Sequence, residues 1–190
     1  MKRIIGLGVG LAMFAAVPAM AAAVTVPMTL ITADGIGNAI GSVTLRDSKY
    51  GLVIEPKLAG LPAGWRGMHI HQNPSCAPGD QNGKAAAGFG AGGHLDPAAT
   101  GQHKGPLDKT GHLGDLPFLT VDRDGTATAI ALAPRLKVRD IAGRALMIHA
   151  GGDNYSDQPE PLGGGGGRIA CGVIPGKAAA PKKAAAHKAH

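Results

Sequence analysis

Six histidines and two aspartates are spaced along this 190-residue chain in a pattern that fits a site for two metal ions. They are His69 and His71, separated by Ile70; then His94, His103, and His112 with Asp115 three residues on; and His149 followed by Asp153. Of the eight histidines only His187 and His190 fall elsewhere, within the last four residues, so every histidine of the body is a candidate ligand. Imidazole suits copper and zinc, and a carboxylate added to imidazoles suits zinc. His69 and His71 lie on a predicted strand, where residues i and i+2 share a face, so both rings can meet one ion. His94 stands in a glycine-freed loop, Gly92-Gly93-His94-Leu95-Asp96-Pro97, and the cluster of imidazoles closed by Asp115 suits a tetrahedral zinc site. Any one of these histidines alone reads as an ordinary polar residue; six together do not.

The ends of the chain are of a different character. Lys2 and Arg3 precede an apolar stretch over 4–17 and the small-residue run Pro18-Ala19-Met20-Ala21, the pattern of a secretory signal over 1–21 cleaved near Ala21. The apolar stretch is too short to span a bilayer core of about 30 Å. An exported, periplasmic protein without a membrane anchor is expected. In an exported chain the only two cysteines, Cys76 and Cys171, read as a disulfide. Closing so long a loop is worth about 4–5 kcal/mol in the chain-entropy description.

The formal charge of +6 sits at the ends. Without Lys2, Arg3, Lys177, Lys182, Lys183 and Lys188 the chain carries 13 basic and 13 acidic side chains, so the body offers no basic surface for nucleic acid. The segment 176–190 is Ala, Lys, Pro and His with nothing large to bury, and is expected to be a disordered basic tail.

Between signal and tail, 22–175 is expected to fold as one all-β domain. Short runs rich in Val, Ile, Leu and Thr occupy 24–32, 40–46, 52–58, 67–71, 116–121, 126–132, 145–149 and 169–174, several of them bounded by turns such as Asp34-Gly35 and Asp124-Gly125. The runs 116–121 and 126–132 form the clearest predicted hairpin. Eight short strands suggest a sandwich or barrel. Two long Gly/Pro-rich segments, about 72–113 and 150–167, interrupt them, and loops of that length are uncommon unless functional.

Several of these stretches carry a resemblance. Gly67-Met68-His69-Ile70-His71, Gly92-Gly93-His94-Leu95-Asp96-Pro97, Gly111-His112-Leu113-Gly114-Asp115-Leu116-Pro117, the run from Leu146 to Tyr155 and the run from Gly163 to Ile174 resemble the exported bacterial copper/zinc superoxide dismutases over nearly all of 24–175. The resemblance implies a flattened eight-stranded Greek-key β-barrel with two long functional loops, an architecture for which this enzyme is a standard example. It implies disproportionation of superoxide to dioxygen and hydrogen peroxide, with one copper and one zinc per subunit. Copper would be held by His69, His71, His94 and His149, and zinc by His94, His103, His112 and Asp115. His94 would bridge the two as an imidazolate and supply a proton to the peroxide. Cys76 would pair with Cys171. Asp153 would accept hydrogen bonds from His69 and His103, and Arg168 would guide the superoxide anion. Family members are monomers or dimers, so a homodimer is one expected assembly. Leu95 stands where an aromatic residue is usual, and Lys104 is a candidate steering lysine. The alternative is a non-catalytic periplasmic copper/zinc-binding or chaperone module, which would be expected to lack a copper ligand or the arginine.

Overall fold

Alternation of apolar and polar residues folds this sequence into strands, and in a computed structural model the chain is described over residues 22–176. The expected signal, 1–21, and the tail beyond residue 176, with His187 and His190, lie outside the described residues.

The first strand, β1 (Ala23–Thr32), turns Val24, Val26 and Met28 inward and leaves the residues between them exposed. It returns through Ala33-Asp34 into β2 (Gly35–Ser48), and β2 through Lys49-Tyr50 into β3 (Gly51–Leu58). Then come β4 (Gly64–Arg66), β5 (Met68–His71), β6 (Gly79–Gln81), β7 (Lys84–Ala86), β8 (Leu119–Val121), β9 (Ala131–Ala133), β10 (Ala145–His149) and β11 (Arg168–Val173). Seven strands form one antiparallel sheet in the order β5-β10-β11-β1-β2-β3-β9. Strand β4 runs into β5 across Gly67 and pairs with β8, so the curled sheet is extended at that edge. The fold is all-β, with the single short α-helix Val138–Ile141 among the described residues.

The predicted hairpin is only half formed. Its turn closes through Asp122 N–H to Thr126 O at 2.8 Å, but the two arms then take different partners. Strand β8 pairs with β4, whereas Ala127 bridges Leu58 and β9 pairs with β3. Local turn chemistry was legible; partner choice was decided by the ends of β3 and β4, some sixty residues upstream.

The main core fills the inside of the curl, with Val26, Leu45, Ile54, Ile70, Leu116 and Ile148 among its buried side chains. A smaller cluster of Ile31, Ala91, Ala145 and Met147 lies under the long loop together with Cys76 and Cys171. Those cysteines are joined as a disulfide with a Cα–Cα distance of 5.7 Å, which ties the loop to β11.

Candidate metal centre

The site begins with strand alternation. On β5, Met68 and Ile70 enter the main core, so His69 and His71 must face the other way. On β10, Leu146 and Ile148 enter the core and Met147 and His149 face outward. Met147 lies opposite His69 and Ala145 opposite His71 in the ladder, which brings all three histidines to one face. The free edge of β5 then captures two pieces of the long loop. Leu95 N–H donates to Ile70 O at 2.8 Å and Ile70 N–H to Gly114 O at 2.9 Å, so His94 is delivered beside His71 and Asp115 beside His69.

Two groups result. Ligand atoms of His69, His71, His94 and His149 all lie within 4.8 Å of one another, as do those of His94, His103, His112 and Asp115, and every one of these residues is buried. His94 belongs to both groups. Its Nδ1 lies 3.1 Å from Asp115 Oδ1, and its Nε2 has no hydrogen-bond partner.

Four of the other rings, those of His69, His71, His103 and His149, each set one nitrogen on a fixed acceptor and leave the second without a hydrogen bond. His69 Nε2 donates to Asp153 Oδ2 at 2.8 Å, His71 Nδ1 to Gly92 O at 2.9 Å, His149 Nδ1 to Gly166 O at 3.2 Å and His103 Nε2 to Asp153 Oδ1 at 2.7 Å. Among the described residues six buried ring nitrogens are left without a hydrogen bond: His69 Nδ1, His71 Nε2, His94 Nε2, His103 Nδ1, His112 Nδ1 and His149 Nε2. A buried polar atom without a partner costs about 1–3 kcal/mol, so six of them converging in two groups call for cations. The residues therefore fit copper in the all-imidazole group and zinc in the group that includes a carboxylate.

The electrostatics suit that use. Burial, then the neighbouring His94, pushes the pKa values of His69 and His71 well below the ordinary imidazole range, and burial pulls His149 down to about 4. These rings stay neutral, the form that ligates. Burial opposes ionisation of both His103 and Asp115, but their mutual attraction wins, with His103 Nδ1 3.0 Å from Asp115 Oδ1. His103, bonded to Asp153, is held up at about 9, and Asp115, bonded to His94, lies below the usual carboxylate range.

Neighbouring residues hold this arrangement. Gly163 has φ +73°, and a Cβ there would lie 2.0 Å from Asp153 Oδ1, so only glycine can pass over that carboxylate. Arg168 donates to Gly88 O at 2.7 Å and Gly92 O at 2.8 Å and stacks over Phe89 with its guanidinium 4.3 Å from the ring centre. It stands with His94, His149, Gly166 and Gln81 around a cleft of about 280 Å³. Lys104 donates to Thr110 on the exposed side. Leu95 packs into the main core.

Sequence reading missed several contributors. The Asn82-Gly83 turn of the β6–β7 hairpin was legible as a turn signal, but its strands are exposed and lack branched residues. Asp157, whose carboxylate accepts the His103 N–H at 2.8 Å, and Arg135, Arg66 and Arg144, which donate to loop carbonyls, carry no signal in their spacing.

Comparison with known proteins agrees with this geometry. The family model for copper/zinc superoxide dismutase (SODC) matches residues 39–174. The chain is 55% identical over 165 residues to a Cu-Zn superoxide dismutase of Escherichia coli K12, covering 86% of this chain and 95% of that one. It is similar in structure to the Cu/Zn superoxide dismutase from Brucella abortus, with TM-score 0.78 and 47% identity over 80% of this chain and 99% of that one. The monomeric copper, zinc superoxide dismutase from Salmonella enterica matches with TM-score 0.73 and 55% identity over the same shares.

Proposed function

Because the chain belongs to the copper/zinc superoxide dismutase family, we infer that its two histidine groups are the copper and zinc sites of that enzyme. The activity is disproportionation of superoxide to dioxygen and hydrogen peroxide. The observation that carries the site assignment is the convergence of six unpartnered buried nitrogens into two groups sharing His94.

When bound, copper supplies one-electron chemistry by alternating between two oxidation states, and zinc supplies a fixed charge without redox chemistry. His69, His71, His94 and His149 hold the copper, and His94, His103, His112 and Asp115 the zinc. Asp153 fixes the orientation of His69 and His103 together through its two oxygens. His94 lines the cleft, and its Nε2 is placed to hold the proton that peroxide formation requires.

Superoxide is a small anion with little to grip, so attraction matters more than shape. Arg168 supplies it: two carbonyls and one aromatic face fix the guanidinium at the cleft, and among the described residues it makes no ion pair that would neutralise it. A cation fixed in a narrow cleft focuses the field on the approach path, and superoxide dismutases are a known case of such steering. All residues of both groups come from one chain, so the site is complete without a partner subunit. Among the described residues no helix is long and apolar enough to cross a membrane. The N-terminal sequence pattern supports export to the periplasm with cleavage near Ala21.

The test is superoxide decay catalysed by the protein after its occupancy by both metals has been verified. A fast, copper-dependent rate that falls with ionic strength is expected. Full occupancy without activity would instead favour a metal carrier.

A further inference from the structure

Arg135 follows β9 at the barrel edge and reaches across to the loop that bears His103 and His112. Its Nε donates to Pro106 O at 3.0 Å, Nη2 to Gly105 O at 3.2 Å and to His112 O, and Nη1 to Gly111 O at 3.4 Å. Gly105 and Pro106 lie on the arm leaving His103; Gly111 and His112 lie on the arm arriving at His112. One planar group therefore bonds both arms, and the loop between His103 and His112 has no strand or helix to hold them otherwise. The remaining ties between the arms are His112 N–H to Gln102 O at 2.9 Å and the exposed Lys104–Thr110 contact.

The connection continues to the carboxylate. Asp115 Oδ2 accepts the N–H of Lys104 at 3.1 Å and of Gly105 at 3.2 Å, which leaves Oδ1 facing His94, His103 and His112. Gly105 is thus held by its N–H on Asp115 and by its carbonyl on Arg135. Among the described residues Arg135 has no carboxylate in ion-pair contact, and its positive charge does nothing to attract a cation nearby. What it provides is a rigid fork of donors, which a lysine cannot reproduce.

We propose that Arg135 is a positioning residue for the zinc group, holding the two arms of the 103–112 loop at the spacing that lets His103, His112 and Asp115 close around one ion. This rests on the assignment of that group to zinc. The test uses the full-length mature protein, stripped of metal and reloaded, as wild type, R135K and R135Q, with zinc affinity measured by competition with a chromophoric chelator. Both variants are expected to bind zinc about 10–100-fold more weakly. Cobalt(II) in the same group should show an altered visible spectrum in both. Their melting temperature should fall more in the zinc-loaded form than in the metal-stripped form. Zinc affinity within twofold of wild type in R135Q, or equal loss of melting temperature in the two forms, would overturn the proposal. So would wild-type affinity in R135K, since charge alone would then suffice; R135K also carries the test if R135Q fails to fold. Failure of the wild type to take up zinc in this group would instead sink the site assignment.

Discussion

Arg168 and His71 share one acceptor: the carbonyl oxygen of Gly92 lies 2.8 Å from Arg168 Nη2 and 2.9 Å from His71 Nδ1. A single peptide thus orients both the guanidinium at the cleft and a ring of the all-imidazole group.

Replacing Arg168 by glutamine should lower the rate of superoxide decay by roughly tenfold, at the low end of what steering supplies, this enzyme being a known case. The dependence of the rate on ionic strength should flatten with it. Stopped-flow decay at two salt concentrations measures both. A variant with unchanged salt dependence would remove Arg168 from steering.

Asp153→Ala removes the acceptor of His69 Nε2 and His103 Nε2 together. Freed rings can turn, and loss of such a partner typically costs 10–100-fold in metal affinity. Chelator competition for copper and for zinc, measured separately, should therefore report weakening at both groups. Weakening at only one would mean that the carboxylate serves only one ring.

Cys76→Ser with Cys171→Ser releases the long loop from β11. A loss of about 2–5 kcal/mol in unfolding free energy is expected by urea titration. Because Gly88 and Gly92 lie on the freed segment, copper retention should decline along with global stability. Undiminished copper retention at full loss of stability would separate the disulfide from the site.

For the metal-stripped protein, stability should peak near pH 6.5. His149 has a folded-state pKa of about 4 against about 6.5 when unfolded, so the unfolded chain binds the extra proton in that window. Stability therefore falls as pH drops from about 6.5 towards 4, and the lowered values of His69, His71 and His94 act in the same direction. His103 is raised to about 9, so its contribution is complete below about 6.5 and is lost as pH rises through 9. Urea midpoints from pH 4.5 to 9.5 in the presence of a chelator test both slopes. A steady rise from pH 6.5 to 9 would contradict the bonding drawn for His103.

Much of the fold could be read from particular residues. Val24, Val26 and Met28 alternate with exposed neighbours in β1, and such alternation announces a strand whatever lies beside it. The predicted hairpin around Asp124-Gly125 shows the limit. Turn geometry follows from four or five residues, but whether β8 pairs with its successor or with β4 depends on residues far away in the chain.

The same division holds for the site. Residue types and local spacing were enough to name His69, His71, His94, His103, His112, Asp115 and His149 as potential ligands, because ligand chemistry is a property of the side chain and i, i+2 geometry a property of the strand. Which ring nitrogen faces inward was decided only in three dimensions, by the acceptors Asp153, Gly92 and Gly166 that the fold sets against the opposite nitrogen. The roles of Arg135 and Asp157 likewise arise only on folding, since a backbone carbonyl or N–H as a partner leaves no mark on the identity of the residue that carries it. Sequence by itself determined the chemistry available to this protein; tertiary structure decided which atoms of those residues meet, because hydrogen-bond partners are chosen by distance in space and not by distance along the chain.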